Sequence, residues 1–277
     1  MRTQAKVDVR VERRDGGPVA FVTLDNPSRL NALGDEMMEA FLVAMTPLAV
    51  DDDLRCVVLT GAGERAFVSG ADVNELAEIA FPAEARAFIG KVHACCNTVR
   101  DLPVPVIARI NGMALGAGLE LAISCDLRVA ANGATFGMPE IKLGVPSVVE
   151  AALLPGLVGW GRAREMMLLG ETFDAAAALA MGLVDDVVEA EDLDAAVEKR
   201  IGSLLAAGPN AVRLQKALMR RWENLPMKEA ILAGAEAFSR AYLTDEPAQA
   251  IAAWREAKAA RKAGSQTAKR RPRSIKA

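Results

Sequence analysis

The chain has little with which to build several common kinds of active site. One histidine and four cysteines occur among 277 residues. A Ser-His-Asp or Cys-His mechanism would have to run through His93 alone. That residue stands in KVHACCNTVR, a helical pattern with no glycine-framed serine nearby, so a structural role is expected for it. Cys56, Cys95, Cys96 and Cys125 make no metal-ligand spacing, and an adjacent pair such as Cys95-Cys96 is a poor disulfide. Reduced thiols and no bound metal are expected. No uninterrupted apolar run reaches about 18 residues, and MRTQAKVDVR lacks the apolar segment of a signal peptide. A soluble, cytoplasmic chain without membrane association is the expectation. Neither GxGxxG nor GxxxxGK[ST] is present, which leaves NAD and ATP without a visible seat. Residues 264–277 hold five basic and no acidic residues, with no aromatics between the charges. Such a stretch reads as a solvated, disordered tail (263–277) rather than a nucleic-acid site.

What is abundant is apolar: 52% of residues are hydrophobic, ample for a large core. Residues 7–13 and 19–25 alternate in period two around Arg14-Asp15-Gly16-Gly17-Pro18, a hairpin signature. Residues 35–48 place Met37, Met38, Phe41, Leu42 and Met45 at helical spacing, and CVVLTG at 56–61 reads as a short buried strand. PVIARING (105–112) and DLRVAA (126–131) are two further strands, each followed by a glycine turn or a helical pattern. From residue 147 the pattern is mainly helical, at 147–154, 162–169, 174–180 and 192–207, with one short strand at 184–188. Helical stretches at 211–222, 227–242 and 246–262 close the chain. The plan is therefore an α/β core over residues 1–205 and a helical segment over 206–262. The latter's Ala- and Leu-rich faces, without catalytic-looking residues, suit packing against another subunit.

Two glycine loops carry the chemistry: AFVSGADVNELA (66–77) and ALGAGLE (114–120). In both, small residues precede a helical pattern whose first N–H groups lack an internal partner. Small side chains let an oxygen approach those donors. Facing one another, the loops would form an oxyanion hole with donors at the backbone N–H of Ala71 and Ala117. The alternative is that Gly70, Gly116 and Gly118 merely permit close packing. Glu120 lies among Leu119, Leu121, Ala122 and Ile123, where burying an unpaired carboxylate costs several kcal/mol. It follows Ala117 by three residues, so it can point to whatever oxygen the loop holds. Glu140, after Pro139 in ATFGMPEIKLGVP, is a second candidate. Two such carboxylates can divide acid and base roles; for Glu140 the alternative is a salt bridge to Lys142 or Arg162.

Taken in order, DNPSRLNAL (25–33), RAFVSGADVNEL (65–76), PVIARINGMALGAGLELAISCDLRVA (105–130), FGMPEIKLGVP (136–146) and AMGLVDDVV (180–188) resemble the crotonase, or enoyl-CoA hydratase/isomerase, superfamily. The resemblance spans roughly residues 7–262. It implies an α/β fold, a crotonase-like spiral of β-β-α units with a C-terminal helical trimerisation segment, as a homotrimer or a dimer of trimers. It also implies an acyl-CoA thioester substrate and no metal or redox cofactor, coenzyme A being part of the substrate. The enolate donors carry over to Ala71 and Ala117, and the two glutamates that hold water in hydrating members match Glu120 and Glu140. The resemblance further implies substrate contacts from Ala71, Asp72, Val73 and Asn74, from Arg29 to a phosphate, and from Phe238 and Lys258 of a neighbouring subunit.

In this frame Glu120 is the base that takes a proton from water attacking C3, and Glu140 delivers one to C2. The expected activity is enoyl-CoA hydration. The rivals are a 3-enoyl to 2-enoyl isomerase and a non-catalytic acyl-CoA-binding protein, and retention of both glutamates favours hydration. One segment departs from the pattern: after Pro146 many hydratases are glycine-rich, whereas this chain reads SVVEAALLPGLVGWG. Val148, Val149 and Glu150 are bulkier than glycine, which reshapes the acyl pocket. Glu150 is either a third carboxylate at the site or a surface or salt-bridge residue.

Overall fold

The computed structural model describes residues 6–269. Strands β1 (Lys6–Arg14) and β2 (Gly17–Asp25) form the expected hairpin, closed by Asp15-Gly16 with Gly16 at φ +94°. Positive φ at the second turn position is a conformation that glycine adopts without strain. Helix α1 (Asp35–Ala49) follows, then β3 (Cys56–Gly61) and β4 (Ala66–Val68). Next come α2 (Val73–Glu78), α3 (Pro82–Asp101), β5 (Val106–Ile110), β6 (Met113–Leu115) and α4 (Ala117–Ile123). The core continues through β7 (Leu127–Ala131), β8 (Thr135–Gly137), α5 (Leu154–Leu169), β9 (Thr172–Asp174), α6 (Ala175–Ala180), β10 (Asp186–Val188) and α7 (Leu193–Leu205). Non-helical Gly159 breaks α5, where the sequence pattern had shown only its second part.

The strands sort into two sheets, β1-β2-β3-β5-β7-β10 and β4-β6-β8-β9. From β2 to β10 the larger sheet is parallel, as is the smaller from β4 to β8. Three times over, a long strand in the first sheet is followed by a three-residue strand in the second and then by a helical segment. This is the spiral of β-β-α units. The central strands β3, β5 and β7 are mostly apolar because both faces are covered, with Thr60, Arg109 and Arg128 as the polar exceptions. On β3, Val57 and Leu59 face the layer that holds the smaller sheet, α1 and α3, while Cys56 and Val58 face α7 through Leu193, Val197 and Ile201. All four cysteines are free and buried. Burial pushes the Cys56 and Cys95 thiols up to about 12, which leaves them inert at neutral pH.

The chain divides into two compact units between Ala206 and Ala207. The second comprises α8 (Pro209–Trp222), α9 (Met227–Ala241) and α10 (Glu246–Lys269). Within it, Glu246 accepts hydrogen bonds from the N–H groups of Asn210 (2.9 Å) and Ala211 (2.8 Å), which satisfies two donors at the start of α8. Trp222 donates to the Ala230 carbonyl at 2.8 Å, tying α8 to α9. Helix α10 runs to Lys269, so the stretch expected as a disordered tail from 263 starts helical; residues 270–277 lie outside the described residues. Among the described residues no helix is long and apolar enough to cross a membrane, and no group of three or more His, Cys, Asp or Glu could hold a metal ion.

Candidate active site

Strands β4 and β6 are parallel neighbours. The loops leaving their C-terminal ends therefore emerge side by side, and they are the two glycine loops. The first is held from behind by buried Asn31, whose amide donates to the carbonyls of Ala62 and Ala66 at 3.0 Å and whose Oδ1 accepts from Asn26 N–H at 2.9 Å. Asn31 sits at φ +56°, a conformation asparagine tolerates. This fixes Leu33, which donates to Gly70 and accepts from Asp72 in a parallel bridge. The N–H of Ala71, between those two, takes no part in that bridge. In the second loop, Gly116 at φ +51° starts α4, and Ala117 carries one of the first N–H groups of the helix. Gly118 packs so closely on the Val68 carbonyl that an added Cβ would overlap it, which brings α4 against β4.

Both loops open onto a cavity of about 740 Å³ lined by Ala71, Ala117, Glu120 and Glu140. Its apolar walls come from α2 and α3, through Leu76, Phe88 and Ile89, and from the segment Leu143, Val145 and Val148. Glu120 is 2% exposed, and its Oε1 accepts from the Ala151 N–H at 3.1 Å. Its pKa is pushed up to about 8, chiefly by burial, then by the charge of Glu140; the Ala151 N–H opposes this, and Glu150 adds to the rise. Glu140 sits in the 3₁₀ turn Pro139–Leu143, and a Cβ on Gly116 would overlap its Oε1, so it stands against the loop that carries Ala117. Its Oε2 accepts from the Ser147 hydroxyl at 2.8 Å. The alternative salt bridges are not formed: Lys142 pairs with Glu171 (3.0 Å) and Arg162 with Glu165 (2.6 Å).

The other expected contacts divide. Val73 lines the cavity. Asp72 is buried and caps α2, accepting from Asn74 N–H (2.9 Å) and Asn74 Nδ2 (3.0 Å) as well as from Arg29 Nη1 (2.7 Å). Burial alone would raise its pKa; the donors from Asn74 and Arg29 outweigh that and hold the carboxyl below its ordinary value. Asp72, Asn74 and Arg29 thus form a polar brace next to Ala71. Phe238 and Lys258 belong to the second unit. Phe238 is exposed beside Tyr242, with ring centroids 5.4 Å apart, and Lys258 lies over the Trp254 ring at 4.6 Å.

Sequence reasoning missed Ser147 and Ala151, which touch the two glutamates, as well as the apolar wall. The wall had a signal: Val73, Leu76 and Ala77 recur at helical spacing, and Ala85, Phe88 and Ile89 do so again. The contacts of Ser147 and Ala151 are set by a loop fold that no local pattern encodes. His93 and Glu150 prove to be partners, with His93 Nδ1 2.8 Å from Glu150 Oε1 and Glu150 only 3% exposed. Glu150 is thus in a salt-bridge arrangement, buried rather than at the surface.

Residues 14–262 match the profile of the enoyl-CoA hydratase/isomerase family. The chain is 35% identical to a short-chain-enoyl-CoA hydratase of Clostridium acetobutylicum, over 87% of this chain and 92% of that protein. It is 34% identical to a crotonyl-CoA hydratase of Syntrophomonas wolfei, over 86% and 92% of the two chains. The crystal structure of an enoyl-CoA hydratase from Mycobacterium smegmatis superposes with a TM-score of 0.85 at 30% identity, covering 90% of this chain and 96% of that one.

Proposed function

Since the chain belongs to the enoyl-CoA hydratase/isomerase family, we propose that its cavity adds water across the 2,3 double bond of a 2-enoyl-CoA thioester. The observation that carries this is the meeting of Glu120 and Glu140 in one apolar cavity beside the two glycine loops. Attack of water at C3 drives charge onto the thioester oxygen. The N–H groups of Ala71 and Ala117 are the donors for that enolate, and removal of one such donor costs about 3–4 kcal/mol in comparable sites. The reaction therefore asks for no metal or redox cofactor.

The two glutamates work as a pair on one water. Burial and its neighbour's charge raise the pKa of Glu120 to about 8, which brings it near the range where a carboxyl exchanges protons at neutral pH. The division follows the one expected from the sequence: Glu120 takes a proton from the attacking water, and Glu140, held by the Ser147 hydroxyl, delivers one to C2. Ala151 N–H orients Glu120 for its proton transfer. Asp72, braced by Arg29 and Asn74, holds the Ala71 loop, while Val73 contacts the substrate. Exposed Ile231, Leu232, Phe238, Tyr242 and Leu243 in the second unit suit a subunit contact, in keeping with a homotrimer or a dimer of trimers, from which Phe238 and Lys258 would reach a neighbour's coenzyme A. The setting proposed is cytoplasmic breakdown of fatty or related acyl chains.

The test follows the loss of conjugated enoyl-thioester absorbance with crotonyl-CoA and a longer 2-enoyl-CoA. Wild type should hydrate both, and Glu120→Gln and Glu140→Gln should each lose roughly 10²- to 10⁴-fold in kcat. A folded wild type that leaves these substrates intact but shifts the double bond of a 3-enoyl-CoA would be an isomerase. One that does neither yet binds acyl-CoA would be a binding protein.

A further inference from the structure

The segment between Glu140 and the body of α5 is poorly anchored by apolar packing. Ile141, Leu143, Val145 and Val148 are all exposed, and the first buried residue after Met138 is Glu150. A carboxylate is thus the first fully buried residue of this wall, beside Val149, which packs partly against the core. Its Oε1 faces His93 Nδ1 at 2.8 Å, with Arg100 Nη1 3.8 Å away, and its Oε2 is buried without a hydrogen-bond partner. His93 and Arg100 lie two turns apart on one face of α3. The preceding residue, Val149, has φ +41°, a left-handed conformation that is an outlier for a β-branched side chain. Such a residue persists only where its surroundings over-determine it. The following residue, Ala151, supplies the N–H that reaches Glu120 Oε1 at 3.1 Å, a hydrogen it also shares with the Val148 carbonyl at 2.9 Å.

We propose that Glu150 is a positioning residue: its tie to His93, backed by Arg100, holds the strained turn at Val149 on α3 so that Ala151 N–H stays aimed at Glu120. The tether acts through backbone geometry and touches no reacting atom. It replaces, with one side-chain hydrogen bond across 57 residues of sequence, what a glycine would achieve by adopting the turn without strain. The activity arm of its test rests on the hydratase reading above; the exchange arm does not.

The experiment compares wild type, Glu150→Gln, Glu150→Ala, Val149→Gly and the Val149→Gly/Glu150→Ala double variant. Backbone amide exchange of a peptide spanning 147–153, read by mass spectrometry, should quicken at least tenfold in Glu150→Ala. Glu150→Gln, which keeps an acceptor for His93, should restore most of the protection. With crotonyl-CoA, Glu150→Ala should lose tenfold or more in kcat with KM within twofold. In the Val149→Gly background, where the turn is unstrained, the same change should cost threefold or less. Unchanged exchange in Glu150→Ala overturns the tether even if wild type proves not to hydrate enoyl-CoA. An active wild type whose kcat is indifferent to Glu150→Ala, or falls equally in both backgrounds, overturns its positioning role. A wild type that fails to hydrate while the exchange pattern holds removes the hydratase reading and leaves the tether standing.

Discussion

The two walls of the cavity are built by different means. Ala71, Ala117 and Glu120 stand on loops and a helix that grow directly from the parallel pair β4 and β6, and they are pressed together by glycines with no room for a side chain. Glu140, Ser147 and Ala151 come instead from two 3₁₀ turns joined by an exposed segment, held by side-chain hydrogen bonds. The first wall takes its geometry from backbone packing, which has few alternatives. The second takes its geometry from individual polar contacts, each of which can be removed singly. On the proposed function, the difference places the charge-stabilising donors on the rigid side and leaves the side that would shape the acyl chain open to substitution.

This contrast is breakable first at Gly118. Gly118→Ala forces a Cβ into the Val68 carbonyl, and overpacking of this kind costs about 1–3 kcal/mol. Thermal unfolding should show a fall of several degrees, with hydration activity lost with it or before it; a neutral result would mean that the wall yields.

A second test uses the pH response of the buried acid. The folded-state pKa of Glu120 is raised to about 8 from 4.5, so the fold favours the neutral form. Its contribution to stability is complete below the unfolded value and is lost as pH rises through about 8. Glu120→Gln should therefore melt above wild type at pH 9, and that gap should close at pH 5. In wild type, kcat/KM should rise as pH passes through about 8, where Glu120 becomes free to act as base. A gap that widens toward acid would show that Glu120 is held ionised.

Smaller effects belong to the second wall. Ser147→Ala removes one part-buried hydrogen bond from Glu140, a contact worth roughly 0.5–1.5 kcal/mol. Steady-state kinetics should show kcat reduced by about tenfold, with the melting temperature nearly unchanged. Smallest of all, Val148→Ala enlarges an exposed part of the wall, and its effect should appear as a shift in KM between short and long enoyl-CoA substrates of a few-fold. A large stability loss from Val148→Ala would contradict the contrast between the walls.

The sequence was most legible where period and composition agree. Residues 56–61 announced a buried strand by being apolar without alternation, and the hairpin announced itself by alternation on both sides of Asp15-Gly16. The three-residue strands of the second sheet were too short to show any period, so β4, β6, β8 and β9 became visible only through their pairing. At the site, Glu120 stood out because a carboxylate in an apolar run needs an explanation. Ala151 and Ser147 did not stand out, because a backbone donor and a lone hydroxyl become functional only through tertiary placement. The link from His93 to Glu150 was likewise hidden, although each residue had drawn notice alone.

The larger sheet carries one more consequence. On β3, neighbouring residues face different layers: Cys56 and Val58 pack with α7, whereas Val57 and Leu59 pack with the layer that builds the cavity. The sheet thus works as a partition with separate tenants on each side. Repacking Leu193, Val197 and Ile201 against Cys56 and Val58 leaves the catalytic layer's own side chains in place, so the α7 face can be re-engineered, for immobilisation or fusion, with the chemistry insulated behind a wall one strand thick.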